Sequence, residues 1–176
     1  MKIETFRYVA CKPNYYIAPT NKDKHGKELW NHHKMVKRTM FNYDGVEGGK
    51  TGYTTKAGGT LVTFAKRGDQ ELIAVDLCAH GYELYEDTIK MLNYGFNNYK
   101  TIAPFKTMNT VLKDDTYGFL KTGNELSPYK IPLKHLNDVT VMLEKKQSAS
   151  KLTYKCKDNK YIISYDGKQI GSVKLH

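Results

Sequence analysis

The sequence predicts an α+β protein in two parts: a β-hairpin sheet with a following helix over residues 1–98, and a small all-β part over 99–176. Three observations carry this reading. The runs TLVTFAKR (60–67) and ELIAVDL (71–77) are rich in strand formers and separated by a short Gly-containing turn, the pattern of a hairpin. The next stretch, YELYEDTIKMLNYGF (82–96), places Tyr85, Ile89, Leu92 and Phe96 on one helical face. Beyond Asn98 the period changes to short alternating runs separated by turn dipeptides.

Taken in order, FRYVACK (6–12) reads as the end of a helix and YYIAPT (15–20) as a strand. KDKHGKELWNHHKMVK (22–37) reads as polar loop and short helix. The Gly-rich VEGGKTGYTTKAGG (46–59) leads into the hairpin, and the amphipathic helix is expected to pack across it. In the second part the strand candidates are 108–112, 117–121, 139–144, 151–156, 161–165 and 170–175. Asp166-Gly167 between two of these runs is a strong hairpin signal. A linker is expected near Thr101–Pro104.

The chain has 176 residues, 28 Lys+Arg against 18 Asp+Glu, and a formal charge of +10. With 40% apolar residues it can fill a core, and 14 Tyr argue against disorder. No apolar run approaches the ~18 residues of a membrane span, and the first residues lack the apolar stretch of a secretory signal. Cys11, Cys78 and Cys156 are widely spaced and form no C-x-x-C, so neither a disulfide framework nor a cysteine-ligated zinc site is expected. The adjacent pair His32-His33 diverges on any regular element and has no carboxylate at ligand spacing, so no metal is expected, and no cofactor motif appears. The basic charge is concentrated in residues 99–176, which hold 14 Lys and no Arg. A basic surface suits an anionic polymer or lipid, but phosphate forks and base reading favour Arg, so nucleic acid is not the expected partner.

The motif that carries chemistry is Lys50-Thr51-Gly52, which resembles the KTG box of serine penicillin-recognising enzymes. Lys121-Thr122-Gly123 shows that the triplet alone means little. The context discriminates: YDGVEGGKTGYTTKAGGTLVTFAKRGDQELIAV (43–75) resembles the third-box region of the D-alanyl-D-alanine carboxypeptidases, the low-molecular-mass penicillin-binding proteins. YYIAPTNK (15–22) is similar to the segment preceding that box, and the layout of a helix ending in LNYGF (92–96) and then a β domain also resembles the family.

The resemblance implies a partial transpeptidase-like domain over 1–98 and a C-terminal β domain over 99–176. It implies that substrate, a peptidoglycan stem peptide ending in D-Ala-D-Ala, lies along the KTG strand as an added strand. By the same resemblance Lys50 and Thr51 address the terminal carboxylate, Gly52 permits close approach, and the Tyr53 N–H is an oxyanion donor. The family works outside the cytoplasmic membrane. Its serine nucleophile, in S-x-x-K, lies upstream of KTG, yet residues 1–49 contain no serine. Ser127-Pro-Tyr-Lys130 and Ser148-Ala-Ser-Lys151 fit S-x-x-K but follow the box. The expectation is therefore the C-terminal portion of such an enzyme, with no catalytic residue of its own and inactive alone. The alternatives are a non-catalytic module binding cell wall or protein, and a basic nucleic-acid-binding protein.

Two departures from the family pattern have physical consequences. Gly49 stands where an apolar residue usually precedes the Lys, and Asp76 interrupts an otherwise apolar strand. Asp76 needs a partner, or else its strand is less buried than in a full-length enzyme. If the flanking strands are missing, the edge at Glu71–Leu77 is expected to drive self-association.

Overall fold

The computed structural model describes residues 3–36, 39–106, 110–112, 117–122, 125–126, 131–132, 139–158 and 160–174. They form α-helices and mostly antiparallel strands, the mixed α/β architecture expected. The chain divides into two compact units, Met1–Asn97 and Asn98–His176.

In the first unit, helix α1 (Glu4–Ala10) has seven residues, none of them buried. So short a helix is not stable by itself. It is fixed from its Arg7, which pairs with Glu47 and lies 5.0 Å over the ring of Phe64. Strands β1 (Asn14–Ile17) and β2 (Lys27–Trp30) form an antiparallel hairpin with Asn14 opposite Trp30, exposed at every position. Asn31 anchors it to the end of α1, donating from Nδ2 to the carbonyls of Ala10 (3.1 Å) and Lys12 (2.9 Å). Residues 27–30 thus correct the expectation of polar loop. With both faces in solvent, KELW has no apolar side to reveal its period, and only pairing with β1 makes it a strand.

A 3-10 turn (Lys34–Val36) then sends Met35 inward. Strands β3 (Val46–Thr54), β4 (Gly58–Arg67) and β5 (Gln70–Ala79) make an antiparallel meander in the order β3-β4-β5. The β4–β5 pairing closes at Arg67 opposite Gln70, as the hairpin pattern predicts. Helix α2 (Glu83–Asn98) buries Leu84, Tyr85, Thr88, Leu92 and Phe96. This apolar face meets Leu61, Ala65 and Ala74 of the sheet together with Met35 and Phe41. The opposite sheet face is only partly covered: Val62, Ile73, Val75 and Leu77 are exposed.

The second unit begins with β6 (Tyr99–Ile102). This is a second correction, because the linker expected near Thr101–Pro104 is a strand followed by a 3-10 turn (Pro104–Lys106). Its partner is β11 (Val141–Glu144), with Ile102 opposite Val141, some forty residues away and invisible to local pattern. Between them, β7 (Thr110–Leu112), β8 (Tyr117–Thr122), β9 (Glu125–Leu126) and β10 (Ile131–Pro132) pair around β8. Strands β12 (Leu152–Lys157), β13 (Lys160–Tyr165) and β14 (Lys168–Lys174) form an antiparallel sheet. Asp166 and Gly167 turn β13 into β14 with φ of 51° and 78°, the left-handed pair of a two-residue hairpin. The unit's core is Phe105, Val141, Leu143, Leu152, Tyr161 and Ile163.

Candidate functional site

The Lys50-Thr51-Gly52 triplet lies in the middle of β3. Among the described residues β3 pairs only with β4, so it is an edge strand with one side open. On such an edge every second N–H and C=O points away from the sheet, ready to pair with an added strand. Register fixes the alternation of side chains. Lys50 is opposite Val62 and Gly52 opposite Thr60, while Gly49, Thr51 and Tyr53 are opposite Thr63, Leu61 and Gly59.

Lys50 is exposed, and its ammonium donates to the Thr51 carbonyl. Thr51 is half-buried beside Leu61, and Tyr53 is 76% exposed. At Gly52 the requirement is steric: a Cβ would lie 2.5 Å from Oγ1 of Thr60 across the strand pair. The motif thus presents a cation, a hydroxyl, a side-chain-free step and an exposed aromatic along one open strand.

The floor below the strand is set by a histidine that the sequence pattern does not single out for this role. His33 is 1% exposed, and its Nε2 lies 3.0 Å from Thr63 Oγ1. Burial pushes its pKa down to about 4, against lesser opposing hydrogen bonds, so the ring is neutral near neutral pH. His33 is thus a core residue bonded to Thr63, and among the described residues no group of three or more His, Cys, Asp or Glu could hold a metal ion. A sequence clue existed in the side-chain-free pair Gly48-Gly49 in a strand, which marks a close approach.

Asp76 lies in the same cross-strand row as Thr51 and Leu61, on the helix-facing side of β5. Its Oδ2 is buried without a hydrogen-bond partner. Burial first, then the neighbouring Asp87 charge, raises its carboxyl above the usual range, partly opposed by the Leu77 backbone N–H.

The other serine-lysine pairs differ in setting. Ser148 caps a 3-10 turn (Ala149–Lys151), accepting from Ser150 N at 3.3 Å, with its hydroxyl 2.8 Å from that of Ser150. Ser127–Lys130 and Gly123 lie outside the described residues, while Lys121 and Thr122 end β8. The first unit contains no serine in its sequence.

Comparison with known proteins places this strand in a family. Residues 8–81 match the family model for D-alanyl-D-alanine carboxypeptidase. The D-alanyl-D-alanine carboxypeptidase DacF of Bacillus subtilis is 30% identical over 154 residues, 85% of this chain and 37% of that protein. DacC of Escherichia coli, with the same description, is 35% identical over 77 residues, 43% of this chain and 18% of its own length. This chain therefore spans well under half of the curated relatives it matches. Among solved structures, penicillin binding protein 5 from Haemophilus influenzae shares the fold, with a TM-score of 0.58 at 22% identity over 96% of this chain and 49% of that one. The segment that carries the Lys50-Thr51-Gly52 strand thus belongs to the D-alanyl-D-alanine carboxypeptidase family.

Proposed function

We propose that this chain supplies the substrate-binding strand of a D-alanyl-D-alanine carboxypeptidase site and does not itself carry the nucleophile. The observation behind this reading is the KTG triplet on the open edge of β3. A stem peptide ending in D-Ala-D-Ala pairs with that edge as a further strand. The Lys50 ammonium and Thr51 hydroxyl hold its terminal carboxylate, and Gly52 lets the two backbones approach. The Tyr53 N–H is one oxyanion donor. Acyl transfer also needs an activated serine. No serine precedes Lys50, so the nucleophile comes from outside these 176 residues. The setting is the cell envelope, where peptidoglycan lies; no described helix is long and apolar enough to cross a membrane.

The test has two parts. A fluorescent penicillin is expected to leave no covalent label on the 176-residue chain. A short peptide ending in D-Ala-D-Ala is expected to shift backbone amide resonances of residues 50–53, and Lys50→Ala should abolish those shifts. A penicillin-labelled band lost in Ser127→Ala or Ser148→Ala would overturn the missing nucleophile. Absence of any peptide effect on β3 would overturn the strand assignment.

A further inference from the structure

The corner between α1 and the β1–β2 hairpin holds a cavity that the carboxypeptidase reading does not use. Its volume is about 520 Å³, and it is lined by Tyr8 and Val9 of α1, Lys12, Tyr15 of β1, and Leu29 and Trp30 of β2. That is the size of a small-molecule site. Its walls are tied together. Asn31 holds the end of α1 through two side-chain bonds, and its backbone N–H donates to the Pro13 carbonyl at 2.9 Å. The cavity is thus framed by hydrogen bonds within the first unit.

Two features set its chemistry, and the first is charge. Lys12 is the only charged residue in the lining. It is half-buried and forms no ion pair with a described residue. Glu28 accepts from Asn14 Nδ2 and, by strand alternation, lies on the other face of β2 from Leu29. An ammonium partly withdrawn from water gains from an anion seated against it. One cation matches one negative charge, and a second charge on the ligand would stay unpaired.

The second feature is aromatic surface. Lys12 Nζ lies 4.2 Å from the ring centroid of Tyr8 and 5.0 Å from that of Tyr15, and both tyrosines are exposed. An anionic group bonded to Nζ therefore brings the body that carries it against two rings from different elements. Any apolar body gains there by burying area, and an aromatic one gains ring contact in addition.

We propose that this cavity binds a small aromatic monoanion, with its charge on Lys12 and its ring against Tyr8 and Tyr15. The proposal does not depend on the role of β3.

The test titrates 2-naphthoate into the full chain and follows the indole N–H resonance of Trp30, the chain's single tryptophan. The expected result is saturable binding, with the uncharged 2-naphthamide about ten-fold weaker. Lys12→Met should weaken naphthoate about ten-fold and leave naphthamide unchanged, so that the two bind alike. Lys12→Arg should keep the preference for naphthoate, and Leu29→Asp should weaken both ligands. Unchanged amide resonances of β4 in each variant separate lost binding from lost folding. No saturable shift of the Trp30 resonance, or equal binding of naphthoate and naphthamide by wild type, would overturn the site. A Lys12→Met protein that still prefers naphthoate would overturn the role of Lys12. Tighter binding of decanoate, with the same charge on a flexible chain, would overturn the aromatic body. A Trp30 resonance that moves with protein concentration alone would put a second copy in the cavity and overturn the proposal.

Discussion

The ring of His33 fills the space that a side chain at position 49 would need. A Cβ on Gly49 would lie 2.7 Å from His33 Nε2 and 2.0 Å from the Val62 carbonyl oxygen. In the family pattern an apolar residue precedes the KTG lysine. Here the strand is bare at that point, and the core beneath it is completed by an imidazole held against Thr63.

Gly49→Val should therefore destabilise the first unit by about 3 kcal/mol or more, the scale of overpacking against an immobile neighbour. Adding His33→Ala should recover only part of this, because the Val62 carbonyl remains in the way. Urea denaturation of the three proteins, followed by amide resonances of β4, gives the comparison.

The same histidine makes the fold sensitive to acid. Its folded pKa of about 4 lies below the ordinary value of 6.5. The contribution is fully present above about pH 6.5 and is lost as pH falls toward 4, where protonation would need a charged ring in the core. The full linkage is about 3 kcal/mol on the scale of 1.36 kcal/mol per unit. Wild type should lose stability steeply over that window, and His33→Gln should show a flatter profile. Equal profiles would remove His33 as the cause.

Asp76 carries the opposite sign. Its carboxyl is raised, so ionisation is less favourable in the folded state, and the associated stability is present at low pH and lost as pH rises. Asp76→Asn should stabilise the unit at neutral pH, with the gain vanishing in acid. Thermal melts at two pH values check this.

Ile73, Val75 and Leu77 are 63%, 51% and 68% exposed on a strand that is an edge among the described residues. Such an edge is a template for another chain. Self-association rising with concentration is expected in sedimentation runs, and more weakly in Val75→Lys, which puts a charge into the exposed row. A monomer throughout for both proteins would rule out this edge as an interface.

The second unit should fold alone only if it keeps its first strand. A fragment starting at residue 98 retains the pairing of β6 with β11, whereas one starting at 103 loses it and leaves Val141 and Leu143 without that neighbour. Dispersed amide resonances are expected for the longer fragment only, and limited proteolysis should spare Tyr99–Ile102.

The parts that were legible in the sequence are those whose physics is local. The β4–β5 hairpin announces itself by a short turn between two strand-forming runs, and α2 by a buried stripe that includes Tyr85, Leu92 and Phe96. The KTG strand was legible because its chemistry needs particular residues in one short segment. By contrast β2 and β6 are strands by virtue of partners elsewhere, β1 across a loop and β11 across most of a unit. The support of β3 by His33 was hidden for the same reason, since nothing local links residue 33 to Gly49 and Thr63. Asp76 was visible as an anomaly, but its burial depends on which side of β5 faces α2.

The all-exposed β1–β2 hairpin carries the chain's single tryptophan, Trp30, which is 54% exposed. Its emission in the native state therefore reports a half-exposed ring that belongs to neither core. Unfolding either core will shift that emission little, so a fluorescence melt excited at the indole band follows the hairpin and misses the cooperative transitions. The informative chromophores are the buried phenols, Tyr85 in the first unit and Tyr161 in the second. Near-ultraviolet circular dichroism of the tyrosine band, taken on each unit separately, is the optical signal that tracks the two cores.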